Sequence, residues 1–266
     1  MKPDPAEAYS FTDRQIGEWQ KRMAEAVMTM DDLTADVLDF ICAAWLREAH
    51  HPEAMVTITA DDFLRLRALK PQKGGSGRRG GFKDELRRKV AKQIDVLSST
   101  WITVLEMETV EIAYGKRGPF RKRTKWQGES RALVVSSRFG EVVSQGAVEA
   151  YIWRVRPGDV FARFLFGPGR QTALLSQKAL EYDPYRQKWE KRLARYLAWQ
   201  WRNRQGTGNY LHPFRVQTLL DAVQASVSPL HPLRTRERLE EALDVLEKDG
   251  VIESWQYEPT TEENIG

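Results

Sequence analysis

A single cysteine, Cys42, in 266 residues excludes a disulfide framework and any cysteine-rich zinc site. Cys42 falls within an apolar helical pattern and reads as a small core residue. The four histidines, His50, His51, His212 and His231, offer no His-x-His pair of the kind a metal-dependent nicking enzyme with a tyrosine nucleophile uses. Adjacent His50-His51 before Pro52 reads as a helix end. No G-x-x-x-x-G-K-[ST] motif occurs: Gly74–Gly81 runs into Phe82, and Gly167-Pro-Gly-Arg170 lacks the lysine. Glu106 and Glu108 share one strand face, but no lysine follows at nuclease spacing. No catalytic residue, metal or cofactor is therefore expected. No apolar run approaches the ~18 residues of a spanning helix, and Met1-Lys2-Pro3-Asp4 carries no signal-peptide pattern. The expectation is a cytoplasmic protein of a reducing compartment, with no membrane partner.

What the chain does have is basic charge, concentrated in blocks. Residues 63–131 hold 18 basic and 7 acidic side chains, and residues 185–215 hold 8 and 1. The flanks are acidic, with 5 basic and 13 acidic residues at 1–62, and 4 and 11 at 216–266. Two basic blocks between acidic flanks are the footprint expected for a polyanion partner, and point to nucleic acid. Solvated charged faces are the simpler alternative.

Apolar spacing supplies the elements. Leu33, Val37, Phe40-Ile41 and Ala44-Trp45 mark a helix with Asp31 or Asp32 as N-cap, and Met55–Thr59 reads as a strand. Phe63, Leu66 and Leu69 mark a second helix, capped by Thr59 or Asp61. Beyond the glycine-rich connector at 74–81, Leu86, Val90, Ile94 and Leu97 mark a third. Trp101–Tyr114 reads as a long strand, 115–128 as a basic loop, and Arg131–Phe139 as the strand returning from it. Helix, strand, helix, helix and a strand–loop–strand hairpin are the order of a winged helix-turn-helix domain, with 115–128 as an enlarged wing. Pro157-Gly158 reads as the turn of a further hairpin.

The last third repeats the theme. A helix over Tyr185–Arg204 buries Tyr185, Trp189, Leu193 and Tyr196. A second helix carries Phe214, Leu219 and Val223. A third is capped by Thr235, buries Leu239, Ala242, Leu243 and Leu246, and stops at Gly250; Val251–Trp255 reads as a closing strand. The predicted fold class is α+β, two winged helix-turn-helix domains joined by a β-rich middle segment. The expected domains are an N-terminal arm at 1–29, a first winged helix with its extra hairpin at 30–182, a second at 183–258, and an acidic tail at 259–266.

The candidate DNA-binding residues follow from these placements. Arg78 and Arg79 lie in the connector. Lys83, Arg87, Arg88 and Lys92 lie on the third helix, where Arg88 and Lys92 oppose the buried stripe and arginine can reach guanine edges. Lys116, Arg117, Arg121, Lys122, Arg123 and Lys125 form the loop, able to track phosphates or enter the minor groove. Lys188, Lys191, Arg192, Arg195 and Arg202 form a stripe at helical spacing, with Trp199 among them. Arg234, Arg236 and Arg238 open the last helix, where base edges are met, although Glu237, Glu240 and Glu241 could pair with them instead.

Leu33-Thr-Ala-Asp-Val-Leu-Asp-Phe-Ile-Cys42, the Leu174–Arg204 run around Ser176, Leu180, Tyr185 and Tyr196, and Arg238–Trp255 together resemble plasmid replication initiator proteins of the dual winged-helix type. The resemblance covers residues 28–258. It implies binding to repeated origin elements, recruitment of host replication proteins and control by self-association into a dimer. The same modules would serve a transcriptional regulator or partition-type protein, and a nuclease is the third alternative.

Overall fold

The computed structural model describes residues 30–74, 81–115, 118–142, 148–166, 172–228 and 230–258. The chain divides into two compact units, Met1–Leu64 with Lys70–Gln171, and Arg65–Leu69 with Thr172–Gly266. The expected arm at 1–29 and tail at 259–266 lie outside the described residues. Within them the chain is α+β with small antiparallel sheets.

The first unit opens with α1 (Asp32–Glu48), started by Asp31. The Thr34 N–H donates to Asp31 Oδ1 at 2.9 Å and the Asp31 N–H donates to Thr34 Oγ1 at 3.1 Å. This reciprocal pair satisfies donors the first helical turn would leave open. Leu33, Val37, Ile41 and Trp45 lie at four-residue spacing and are all buried, one face of a 3.6-residue period. Strand β1 (Val56–Thr59) alternates in the same economical way, with Val56 and Ile58 inward and Thr57 out. Thr59 Oγ1 then accepts from the Asp62 N–H and begins α2 (Ala60–Leu66). In α3 (Asp84–Ser99), Val90, Ile94 and Leu97 are buried as their spacing predicts.

Four strands follow: β2 (Trp101–Gly115), β3 (Gly118–Arg131), β4 (Leu133–Val142) and β5 (Val148–Pro157). They do not join one sheet. β5 lies between β1 and β4 in a three-stranded antiparallel sheet of order β1-β5-β4, with Val56 opposite Val155 and Ile58 opposite Trp153. Trp153, Val155 and Leu133 turn one face of that sheet into the core with α1 and α3. Among the described residues β2 and β3 pair only with each other, from Trp101↔Arg131 to Gly115↔Gly118, as a separate two-stranded ribbon that falls between α3 and β4 in the chain.

Three expectations are corrected here. Segment 118–131 is a strand, not part of an enlarged basic loop, because it hydrogen-bonds along β2. The strand from 133 pairs with β5 and not with β2. Pro157-Gly158 is no hairpin turn, since β5 runs into helix α4 (Asp159–Leu165). The base of the ribbon is tied down at this junction. The Ala132 N–H donates to the Thr100 carbonyl, the Gly158 N–H to Ala132, and the Val160 N–H to Ser130 Oγ. A Cβ at Gly158 would stand 1.6 Å from the Arg131 carbonyl oxygen, so only glycine permits the approach.

The second unit is helical: α5 (Lys178–Glu181), α6 (Lys188–Arg204), α7 (Val216–Ala222) and α8 (Pro232–Lys248). Leu193 and Leu197 of α6, Leu220 of α7, and Leu239, Ala242 and Leu246 of α8 form its core. At the end of α8 the Gly250 N–H donates to Glu247 and the Val251 N–H to Leu246, with Gly250 at φ +68°. This is a Schellman stop and requires a left-handed residue. The expected closing strand at 251–255 does not form. Its apolar residues are satisfied on the helices, with Ile252 buried and Val251 and Trp255 packed against the core. Two smaller expectations also shift. His231, not Thr235, is the N-cap of α8, and Tyr185 precedes α6 and is 59% exposed. Among the described residues no helix is long and apolar enough to cross a membrane.

Candidate nucleic-acid interface

In the first unit the candidate surface is the outer face of α3. Arg88 and Lys92, one turn apart, are exposed, as is Lys83 at the N-cap. The carboxylates of the helix are drawn into local pairs. Asp84 meets Arg87, Glu85 meets Lys89 at 2.8 Å, and Asp95 meets Arg138 of β4 at 2.7 Å. The Lys89 ammonium holds the Glu85 carboxyl below its ordinary range.

Arg87 has a different role. Its Nε and Nη2 donate to the two oxygens of Asp61 at 2.6 and 2.7 Å, bridging α3 to α2, and its guanidinium lies over the Tyr151 ring. The Asp61 hydrogen bond raises its already high pKa. Such a two-pronged pair fixes a helix and occupies the guanidinium fork that a guanine contact would need.

The β4–β5 hairpin adds Arg138 and Arg154, both exposed and absent from the sequence candidates. Their signal was present: in Tyr151–Arg156, Trp153 and Val155 are buried while Arg154 faces out, a strand alternation. Arg121, Lys122 and Arg123 fall on β3, opposite Ile112, Glu111 and Val110, and Lys125 is exposed opposite Glu108. Arg78, Arg79, Lys116 and Arg117 lie outside the described residues.

In the second unit the predicted stripe on α6 separates. Lys188 and Arg202 are exposed. Lys191 is fully buried, its ammonium donating to the Ala179 carbonyl at 2.6 Å, at the end of α5. It lies at the border of the buried face formed by Leu193, Ala194 and Leu197, so helical spacing alone placed it on the wrong side. Arg192 is half-buried and donates to the Val223 carbonyl at 2.9 Å, satisfying the end of α7. Arg202 donates to the Thr172 carbonyl at 3.0 Å. Arg195 is half-buried, and Trp199 is 41% exposed.

The arginines of α8 also diverge. Arg234 is exposed. Arg236 pairs with Glu240 at 2.7 Å and lies over the Tyr257 ring. Arg238 donates to both oxygens of buried Glu190 and is structural. Cys42 is half-buried, and burial together with the Asp39 charge pushes its thiol upward, away from reactivity. Among the described residues no group of three or more His, Cys, Asp or Glu could hold a metal ion.

No family model and no curated protein matches the sequence. Two solved chains bear a structural likeness to it. One is a selenomethionine derivative of domains 2 and 3 of RctB, with TM-score 0.41 and 13% identity over 80% of this chain and 69% of that chain. The other, RctB domains 2-3 (155–483), has TM-score 0.34 and 14% identity over 62% and 54%. These scores are too low to assign a shared fold or family.

Proposed function

We propose that this chain is a sequence-specific double-stranded DNA-binding protein of the replication-initiator type, acting by binding and not by catalysis. The observation that carries the reading is the position of β5. A sheet of order β1-β5-β4, preceded by three helices with β1 between the first two, is the way a winged helix-turn-helix is built. In that arrangement β4–β5 is the wing and α3 is the helix laid in the major groove. Arg88 and Lys92 are exposed on that helix, and Arg138 and Arg154 on that wing. In the second unit α7 and α8 form the helix pair, with Arg234 on the first turn of α8, where the helix N-terminus also favours phosphate.

The initiator role rests on the order of the two modules described above, and repeated plasmid origin elements, a dimer and host replication proteins belong to the same proposal. Selection of duplexes from a random pool by the full-length chain, followed by footprinting, tests it. Enrichment of one sequence with protection of about 20 base pairs is expected, because each unit offers one candidate recognition helix and each such helix covers about one turn of duplex. Direct repeats of that sequence beside the gene support an initiator, and a palindrome in a promoter supports a regulator. A pool that never enriches overturns the reading.

A further inference from the structure

The β2–β3 ribbon is left over once β4–β5 is the wing. Among the described residues, several ties fix it at its base. Arg131 donates to the Ser98 carbonyl, Val160 to Ser130, and Ala132 to Thr100. Beyond the bulge between Val104 and Met107 the ribbon continues for nine residues of β2, about 30 Å at ~3.4 Å per residue. Leu105 beside the bulge is 78% exposed, and Lys125 and Gln127 across from this stretch are exposed. Both outer edges of the ribbon lack a neighbouring strand among the described residues.

The strands differ in charge. Phe120–Trp126 holds Arg121, Lys122, Arg123 and Lys125 with no acid, and register sorts these four into two kinds. Lys122 stands opposite Glu111 and Lys125 opposite Glu108, so in the register each lysine faces an acidic position. Arg121 stands opposite Ile112 and Arg123 opposite Val110. Positions 121, 123 and 125 share one face and 122 lies on the other, by the two-residue repeat of a strand, so Arg121 and Arg123 are the basic positions of that face with no acidic residue opposite.

We propose that the ribbon is a second DNA-contacting arm, distinct from the wing, that enters the major groove and uses Arg121 and Arg123 as its contact residues. This rests on the DNA-binding reading above. The major groove, about 12 Å wide, admits a two-stranded ribbon, and arginine meets the guanine O6 and N7 edge with two parallel hydrogen bonds. Pairing with a second copy is the competing use of an open ribbon. Joining like strands would set glutamates or cations together, whereas joining β2 to β3 of a second copy would match their charges and would show as self-association without DNA. A purely anti-aggregation role for the charges would depend on their number and not on their positions.

Two full-length variants with the same change in charge separate these cases: Arg121→Gln with Arg123→Gln, and Lys122→Gln with Lys125→Gln. The probe is the duplex selected by the unaltered chain, and melting temperatures confirm folding. The arginine variant is expected to lose about tenfold or more in affinity, to reduce the slope of log K against log salt by about 2, and to lose protection of guanine N7 from methylation. The lysine variant should stay within about threefold of the unaltered chain, because both of its positions stand opposite a glutamate in the register. Glu108→Gln with Glu111→Gln should tighten binding, by removing the acidic residues opposite those lysines, whatever the stability of the arginine variant. Equal losses in the two basic variants, an arginine variant without loss, or glutamate variants that weaken binding overturn the arm while DNA binding stands. Failure of the unaltered chain to bind any duplex overturns the DNA reading itself.

Discussion

Arg238 Nη2 donates to both carboxylate oxygens of Glu190 at 2.9 Å, tying α8 to α6 through a carboxylate that is 4% exposed. The guanidinium also stacks over Trp189. An arginine near the start of a candidate recognition helix invites a DNA role, yet this one is spent inside its own unit. Arg238→Ala leaves Glu190 buried and unpaired, and should lower the unfolding free energy by about 2–4 kcal/mol, toward the lower end because the arginine is partly exposed. Urea denaturation measures this. Arg234→Ala should leave stability unchanged and weaken DNA binding. The reverse pattern would exchange the two roles.

Lys188 and Lys191, three residues apart on α6, form a second contrast. Lys191→Ala removes a buried stem and the donor serving the end of α5, and should cost about 2–4 kcal/mol with no change in the salt dependence of DNA binding. Lys188→Ala, at an exposed position, should be neutral in stability and reduce the salt slope by up to ~1. A stable Lys191→Ala protein with a reduced slope would place that ammonium on the DNA.

Gly158→Ala tests the junction that roots the ribbon. The new methyl carbon meets the Arg131 carbonyl group at 1.6 Å from oxygen and 2.7 Å from carbon. Since neither side is a flexible side-chain end, the backbone must move, at a cost of about 3 kcal/mol or more. Earlier proteolysis within the ribbon and a lower melting temperature are expected. An unchanged melting temperature would mean the junction opens freely.

Asp183 gives the second unit an acid-sensitive contribution. Desolvation raises its pKa, but hydrogen bonds from the Arg186 and Tyr185 N–H groups outweigh this, and the net shift is downward. A folded pKa below the unfolded value means stabilisation present above the ordinary aspartate value of ~3.9 and lost as pH falls through the lowered one. Asp183→Asn keeps an acceptor and loses the charge. The melting difference between the two proteins should therefore shrink as pH falls through the acid range, and a difference constant with pH would rule out this contribution.

Much of the helical structure was legible because burial follows a local period. The stripe from Leu33 to Trp45 and that from Val90 to Leu97 are apolar at helical spacing and buried as such. The sheet was not legible. β1 and β5 pair across about a hundred residues, and no local pattern encodes that register. β3 escaped notice because Phe120–Trp126 lacks apolar alternation, and its strand character comes from pairing with the Val- and Ile-rich β2. Val251-Ile252 misled in the opposite sense, since an apolar pair can settle on a helix end as well as in a sheet. Within the candidate site, charge type and spacing located the basic surfaces but not the carboxylates and carbonyls that claim Arg87, Lys191 and Arg238.

The affinity of the full-length chain for its selected duplex, measured across a salt series beside a scrambled duplex, tests the central claim most directly. With Arg87, Lys191 and Arg238 engaged internally, about five to seven phosphate contacts remain, and log K should fall with log salt at a slope of about −4.5 to −6. The scrambled duplex should bind at least ~10³ more weakly at physiological salt. A slope near zero, or equal affinity for both duplexes, would contradict sequence-specific DNA binding by this protein.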